Sequence, residues 1–169
     1  MRFTTEQWLP YPVERVFRFF ANPSNLELIS PPDMKARLVA ARLVRPPGLN
    51  EDTHGLAGAG SELTISTRTL ALLPFRSVWK ARIIEFEWNR YFRDIQIEGP
   101  FRRFDHRHEF EPAIRNGIPG TLLRDNIDYN FGFGPAGYLL DPTFVRVALQ
   151  HVFDYRHAAT ARLLTNQST

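Results

Sequence analysis

The sequence contains no cysteine. Disulfides, thiolate nucleophiles and cysteine-ligated zinc are excluded together, and a reducing, cytoplasmic setting is the expectation. Long hydrophobic runs are also missing. The longest, near Leu70 to Phe75, falls far short of the roughly 18 residues that a membrane span requires. The opening MRFTTEQW has no apolar signal-peptide core and reads as the start of a strand. No internal repeat, low-complexity tract or long linker divides the 169 residues, so one domain spanning 1–169 is expected. Lysine is scarce: 19 of the 21 basic residues are arginine, and the net charge is only +3. These arginines are interleaved with acids, as in Arg103, Asp105, Arg107 and Glu109. A nucleic-acid binder concentrates its cations, so no nucleic-acid partner is expected.

What the chain does have is aromatic bulk, with 14 phenylalanines among its residues. Such rings can fill a core or line a cavity. Residues 2–9 alternate as a first strand that stops at Pro10. Pro12 suits a helix start, and Val13, Val16, Phe17 and Phe20 follow with helical spacing. Asn22-Pro23 ends that helix. Ser24 is expected to cap a second short helix through Leu26, Leu28 and Ile29, stopped by Pro31-Pro32. Strands are expected near 34–45, 60–71, 76–87, 90–98, 102–112 and 120–132, separated by proline and glycine breaks. The 46–59 loop, with Gly55 and Gly58, is the one long connection and is expected to be mobile.

The end of the chain changes period. Asp141 can cap and Pro142 can start a helix running to about Thr165. Val145, Ala148, Leu149, Val152, Ala159 and Leu163 mark an apolar stripe. Arg146, Gln150, Asp154 and His157 mark the other side. So long a helix needs a sheet to cover its stripe. The order implies an α+β fold: a six- or seven-stranded antiparallel sheet curved around the C-terminal helix, with two short helices after the first strand.

Strand 102–112 places Phe104, His106, His108 and Phe110 on one face and five charges on the other. Both histidines are therefore expected to point inward. Strand 120–132 likewise turns Leu123, Asp125, Ile127, Tyr129 and Phe131 inward. If the two form a hairpin, paired residue numbers sum to a constant. A sum of 231 sets Asp125 opposite His106, and 233 sets it opposite His108. Strand 90–98 is open: hydrophobicity would turn Ile95 and Ile97 inward, against Phe92, Asp94 and Gln96. An inward His–Asp pair can orient a ligand, act as a general base or simply satisfy buried polar groups. His-x-His with a carboxylate also suits zinc, but no fourth ligand is evident, since His54, His151 and His157 lie elsewhere. No metal and no cofactor are expected. The glycines of residues 132–137 do not match a dinucleotide fingerprint and read as a strand-to-helix hinge. Tyr155, Arg156 and His157 are assigned packing and surface roles, and no nucleophile elbow is present.

Four stretches carry a family resemblance: PVERVFRFFANPSNLELISPP, GPFRRFDHRHEFEP, GTLLRDNIDYNFGFGPAG and LQHVFDYRHAATARLL. The chain resembles the START and birch-pollen-allergen superfamily (SRPBCC, helix-grip fold), in its bacterial polyketide-cyclase-like, ligand-binding branch. The resemblance implies a hydrophobic pocket between sheet and long helix, gated by Leu28, Ile29 and Pro31. It also implies that Phe92, Asp94 and Gln96 face that pocket. With the inward rows, the expected lining is Phe92, Asp94, Gln96, Phe104, His106, His108, Phe110, Leu123, Asp125, Ile127, Tyr129, Val145, Leu149 and Val152. The expected partner is a hydrophobic or amphipathic small molecule; a homodimer is left open. Three functions stand open: a binder of such a molecule, a cyclase or dehydratase using His106 or His108 with Asp125, and a regulatory interaction module.

Overall fold

The computed structural model describes residues 1–47, 53–68, 76–130 and 142–166. Seven strands form one antiparallel sheet in the spatial order β1-β7-β6-β5-β4-β3-β2. They are β1 (Arg2–Leu9), β2 (Arg37–Arg42), β3 (Glu62–Thr67), β4 (Ser77–Glu87), β5 (Tyr91–Glu98), β6 (Arg103–Arg115) and β7 (Ile118–Asn130). The chain's first and last strands are neighbours, so the sheet is a meander from β2 to β7 with β1 added beside β7. Register shifts interrupt β4 twice against β5, and β2 once against β3. Each is a bulge-like irregularity that bends a strand, which is how a sheet curls around a helix.

That helix, α2 (Pro142–Asn166), has 25 residues and a length of about 38 Å at about 1.5 Å per residue. It is tied to the sheet's first strand and to the first helix. The Gln7 amide donates to the His157 carbonyl at 2.8 Å, and the Phe3 and Phe153 rings lie 5.4 Å apart. Arg15 of the first helix donates to the Leu164 carbonyl at 2.5 Å, and Tyr11, just before that helix, shares a hydroxyl hydrogen bond with Thr165 at 3.0 Å. The helix α1 (Val13–Ala21) buries Val16, Phe17, Phe19 and Ala21 against the inner face of the sheet.

The second short helix does not form as expected. A single 3₁₀ turn, Pro23–Asn25, is followed by a turn and by a second 3₁₀ turn at Pro32–Met34. The capping residue is Asn22 rather than Ser24: its side chain accepts from the Ser24 amide at 3.0 Å. Three prolines within ten residues, Pro23, Pro31 and Pro32, leave no room for a full α-helical turn ladder. The expected strands at 34–45 and 60–71 are shorter, at six residues each. Parts of the 46–59 loop, Phe131, Asp141 and the 132–137 glycines lie outside the described residues.

The outer face of the sheet explains the arginines. Arg93 forks onto Asp105 at 2.6 and 2.7 Å and also reaches Glu85 at 2.6 Å. Arg107 bridges Glu85 and Glu109, while Arg124 pairs with Glu6. These alternating charges solvate the wet side as a network rather than forming a basic patch. No described helix is long and apolar enough to cross a membrane.

Candidate functional site

The inner face is built from two apolar clusters. One gathers Leu9, Phe17, Phe92, Phe110 and Leu123 with α1; the other gathers Phe3, Phe104, Ile127, Tyr129 and Phe153. Along β6 and β7 the residues between these clusters are His106, His108 and Asp125, all buried. An ionisable layer thus divides an aromatic interior. Period-2 alternation puts it there, since Phe104 to Phe110 and Leu123 to Tyr129 share the face.

The hairpin between β6 and β7 turns on Asn116-Gly117, both with positive φ, at 52° and 76°. This two-residue turn sets Arg115 opposite Ile118 and so fixes the sum at 233, with His108 opposite Asp125. Asp94 sits opposite His106 from the other side, on β5. The Asp125 carboxylate has no solvent exposure and serves both imidazoles through one oxygen. His106 Nε2 donates to Oδ1 at 2.9 Å. His108 Nδ1 lies 2.7 Å from the same atom, as an ion-pair contact out of hydrogen-bonding line. His108 Nε2 faces Asp94 Oδ2 at 3.4 Å. The two imidazoles lie 3.8 Å apart, and Phe92 covers His108 at 4.3 Å.

These contacts separate the titrations. Burial alone would push His108 down, but the charge of Asp125 and contacts with Asp125 and Asp94 carry it above the ordinary value. His106 stays below, because burial and the neighbouring His108 charge outweigh Asp125. Burial would raise Asp125, but His108 and the two imidazole contacts hold it far below the usual carboxylate range. The layer therefore favours the anionic form of Asp125, and favours the charged form of His108 over that of His106. An NMR titration of the ring protons is expected to place His108 above and His106 below about 6.5. The reverse order would contradict this assignment.

Between this layer, α1, the turns after it and α2 lies a cavity of about 250 Å³. Of the sequence-expected residues, Phe92, Asp94, Phe104, His106, His108, Ile127, Val145, Leu149 and Val152 line it. Five others do not. Gln96 turns away to bond the Phe101 carbonyl and amide. Phe110 and Leu123 pack beneath α1 with Phe17. Tyr129 packs with Phe101, 6.2 Å away. Asp125 is covered by the imidazoles it holds. Of the expected gate, Ile29 lines the cavity, but Leu28 is 51% exposed and Pro31 is buried elsewhere. The 3₁₀ turn rotates Leu26 and Ser30 to the cavity instead.

One residue of α2, Arg156, goes beyond the packing and surface roles expected of it. Arg156 lines the cavity, and its Nε is buried with no hydrogen-bond partner among the described residues. His157 is half-buried, and burial lowers its pKa. The signal for Arg156 is present in the sequence. Val145, Leu149, Phe153, Arg156, Thr160 and Leu164 recur every three to four residues, and all but Leu149 and Arg156 are fully buried. Arg156 occupies an inward position of that stripe. Asp94, His106 and His108 each present one donor atom, all within 4.8 Å of one another, and are the described residues able to hold a metal ion. Asp94, not Asp125, is the third donor, because Asp125 is already occupied in orienting the two rings.

Residues 9–152 match the family described as polyketide cyclase / dehydrase and lipid transport. No curated protein matches the chain. Among solved structures, TTHA0849 from Thermus thermophilus is similar at 19% identity, with a TM-score of 0.68 over all of both chains. A START superfamily protein from Mycobacterium smegmatis is similar at 11% identity and TM-score 0.68, covering 99% of each chain. Ara h 8.0201 is similar at 14% identity and TM-score 0.60, covering 98% of each. At these identities the likeness establishes the shared helix-grip fold.

Proposed function

The chain belongs to the polyketide cyclase / dehydrase and lipid transport family, within the START-like superfamily, and on that premise we propose that its cavity binds a hydrophobic or amphipathic small molecule. The observation that carries this reading is the cavity itself: about 250 Å³ of space with aromatic and aliphatic walls, meeting imidazoles and a carboxylate on β5 and β6. Apolar walls with a few convergent polar groups are the usual composition of a small-molecule site. The test is calorimetric. The delipidated protein is expected to bind 1-octanol with one-to-one stoichiometry. Ala81→Phe, which projects a ring from β4 into the space, is expected to remain folded and lose that binding. Equal binding by both proteins would count against the cavity as the site.

Acid–base catalysis is a second reading, favoured by two cavity-lining imidazoles 3.8 Å apart whose pKa values are pushed in opposite directions. In a dehydration, a basic imidazole would take the proton next to a carbonyl. The carbon–oxygen bond at the β position would break, a carbon–carbon double bond would form, and the imidazolium would release hydroxyl as water. Absorbance of the enone formed from 4-hydroxy-4-phenylbutan-2-one tests this. Rates that match buffer, or that survive His106→Gln and His108→Gln, would refute it.

A further inference from the structure

Arg156 is the one charged side chain of the cavity wall, among the described residues, that stands outside the His–Asp layer. Its guanidinium carries five N–H donors and cannot become an acceptor. Among the described residues none of them has a carboxylate within ion-pair distance or an accepting oxygen, and the Nε is buried. The Phe153 ring centroid lies 4.8 Å from the guanidinium carbon. The residue is half-buried, and leaving its buried Nε donor unpaired is costly. The acids that act on it through space, Asp125 and Asp94, already engage His106 and His108. His157, next along the helix, offers no negative charge. The cavity that Arg156 lines together with Phe104, Ile127 and Leu149 has room for the missing acceptor.

We infer that Arg156 is the anion-binding residue of this cavity, and that the ligand is an amphipathic carboxylic acid. The inference rests on the cavity being a binding site. A carboxylate matches a guanidinium edge with two parallel hydrogen bonds, a fit that an alcohol or isolated carbonyl cannot reproduce. The apolar walls take the rest of the molecule. In this arrangement the ligand's head group lies on the α2 side and the histidine layer on the sheet side. The head is thus bound by a permanent cation, and Asp94, His106 and His108 remain available to the body of the molecule.

The test compares sodium octanoate with 1-octanol by isothermal titration calorimetry near pH 7.5, using the full chain. A charged hydrogen bond contributes enough that octanoate is expected to bind about 10- to 100-fold more tightly than octanol. That preference is expected to disappear in Arg156→Met, which keeps the stem and removes the fork. Arg156→Lys, with charge but no fork, is expected to keep part of it. Octanol bound as tightly as octanoate by the unmodified protein overturns the inference while leaving the cavity's binding role standing. A preference that persists in Arg156→Met overturns it too. If neither compound binds, the binding role itself fails and the inference falls with it. The comparison on the unmodified protein stands even if a variant does not fold.

Discussion

Replacing Asp125 with alanine is expected to lower the unfolding free energy by about 3–5 kcal/mol near neutral pH, because it leaves a buried charge without its partner. The carboxylate is wholly buried and holds His106 at 2.9 Å and His108 at 2.7 Å, so both rings lose their anchor at once. The pH dependence of the loss is diagnostic. Asp125 is depressed in the folded state, so its contribution is full above about 3.9, the unfolded value, and is lost as pH falls through the folded one. His108 is raised, so its contribution is full below about 6.5 and is lost as pH rises through its folded value. His106 is depressed and works oppositely: its contribution is full above about 6.5 and is lost as pH falls below that. The difference between unmodified protein and variant should therefore be greatest between about pH 4 and 6.5, where Asp125 and His108 are both charged. Urea denaturation across pH 4–9 measures it. A difference that is small, or that grows steadily above neutrality, would mean that the pair is not charged.

Phe17→Ala is the second large effect, at about 3–5 kcal/mol, the usual cost of emptying a buried phenylalanine site. Phe17 has no exposure, and its ring meets four others: Phe110 at 4.9 Å, Phe86 at 5.2 Å, Trp88 at 5.5 Å and Phe92 at 5.9 Å. This one side chain joins α1 to β4, β5 and β6. It does not itself line the cavity, but its neighbours Phe19 and Phe20 do. Its loss should therefore release α1 and loosen the cavity wall as well as the core. Chemical denaturation gives the magnitude, and faster amide exchange over residues 13–21 shows where it acts. A loss below about 1 kcal/mol would indicate that the aromatic cluster repacks without it.

How much of this is legible in the sequence depends on which periodicities are clean. β6 and β7 alternate polar and apolar over most of their length, so the inward placement of His106, His108 and Asp125 follows from the pleat alone. Their register is also written in the chain. Asn116-Gly117 is a two-residue hairpin signal that selects 233 over 231, but only if the turn is recognised and the following strand starts at Ile118 rather than residue 120. Reading the α2 stripe as aliphatic skips Phe153 and treats Arg156 as surface because of its charge. Period outranks residue type there. Other differences have no local signal. Whether Gln96 faces the cavity depends on Phe101, five residues on, offering both its amide and its carbonyl. Whether residues 24–29 make a helix depends on Asn22 taking the cap from Ser24. In both cases a side chain's choice of backbone partner decides, and hydrophobic pattern is blind to it.

The proposed function rests on a molecule entering the space between sheet and helix. The most direct measurement is nuclear Overhauser contact between 1-octanol and assigned side chains in the delipidated protein. Contacts are expected from the alkyl chain to Trp79, Phe104, Ile127 and Leu149, which stand on β4, β6, β7 and α2 around one cavity. Contacts confined to exposed side chains such as Val39, Ile114 and Val147, with none to those four, would contradict it.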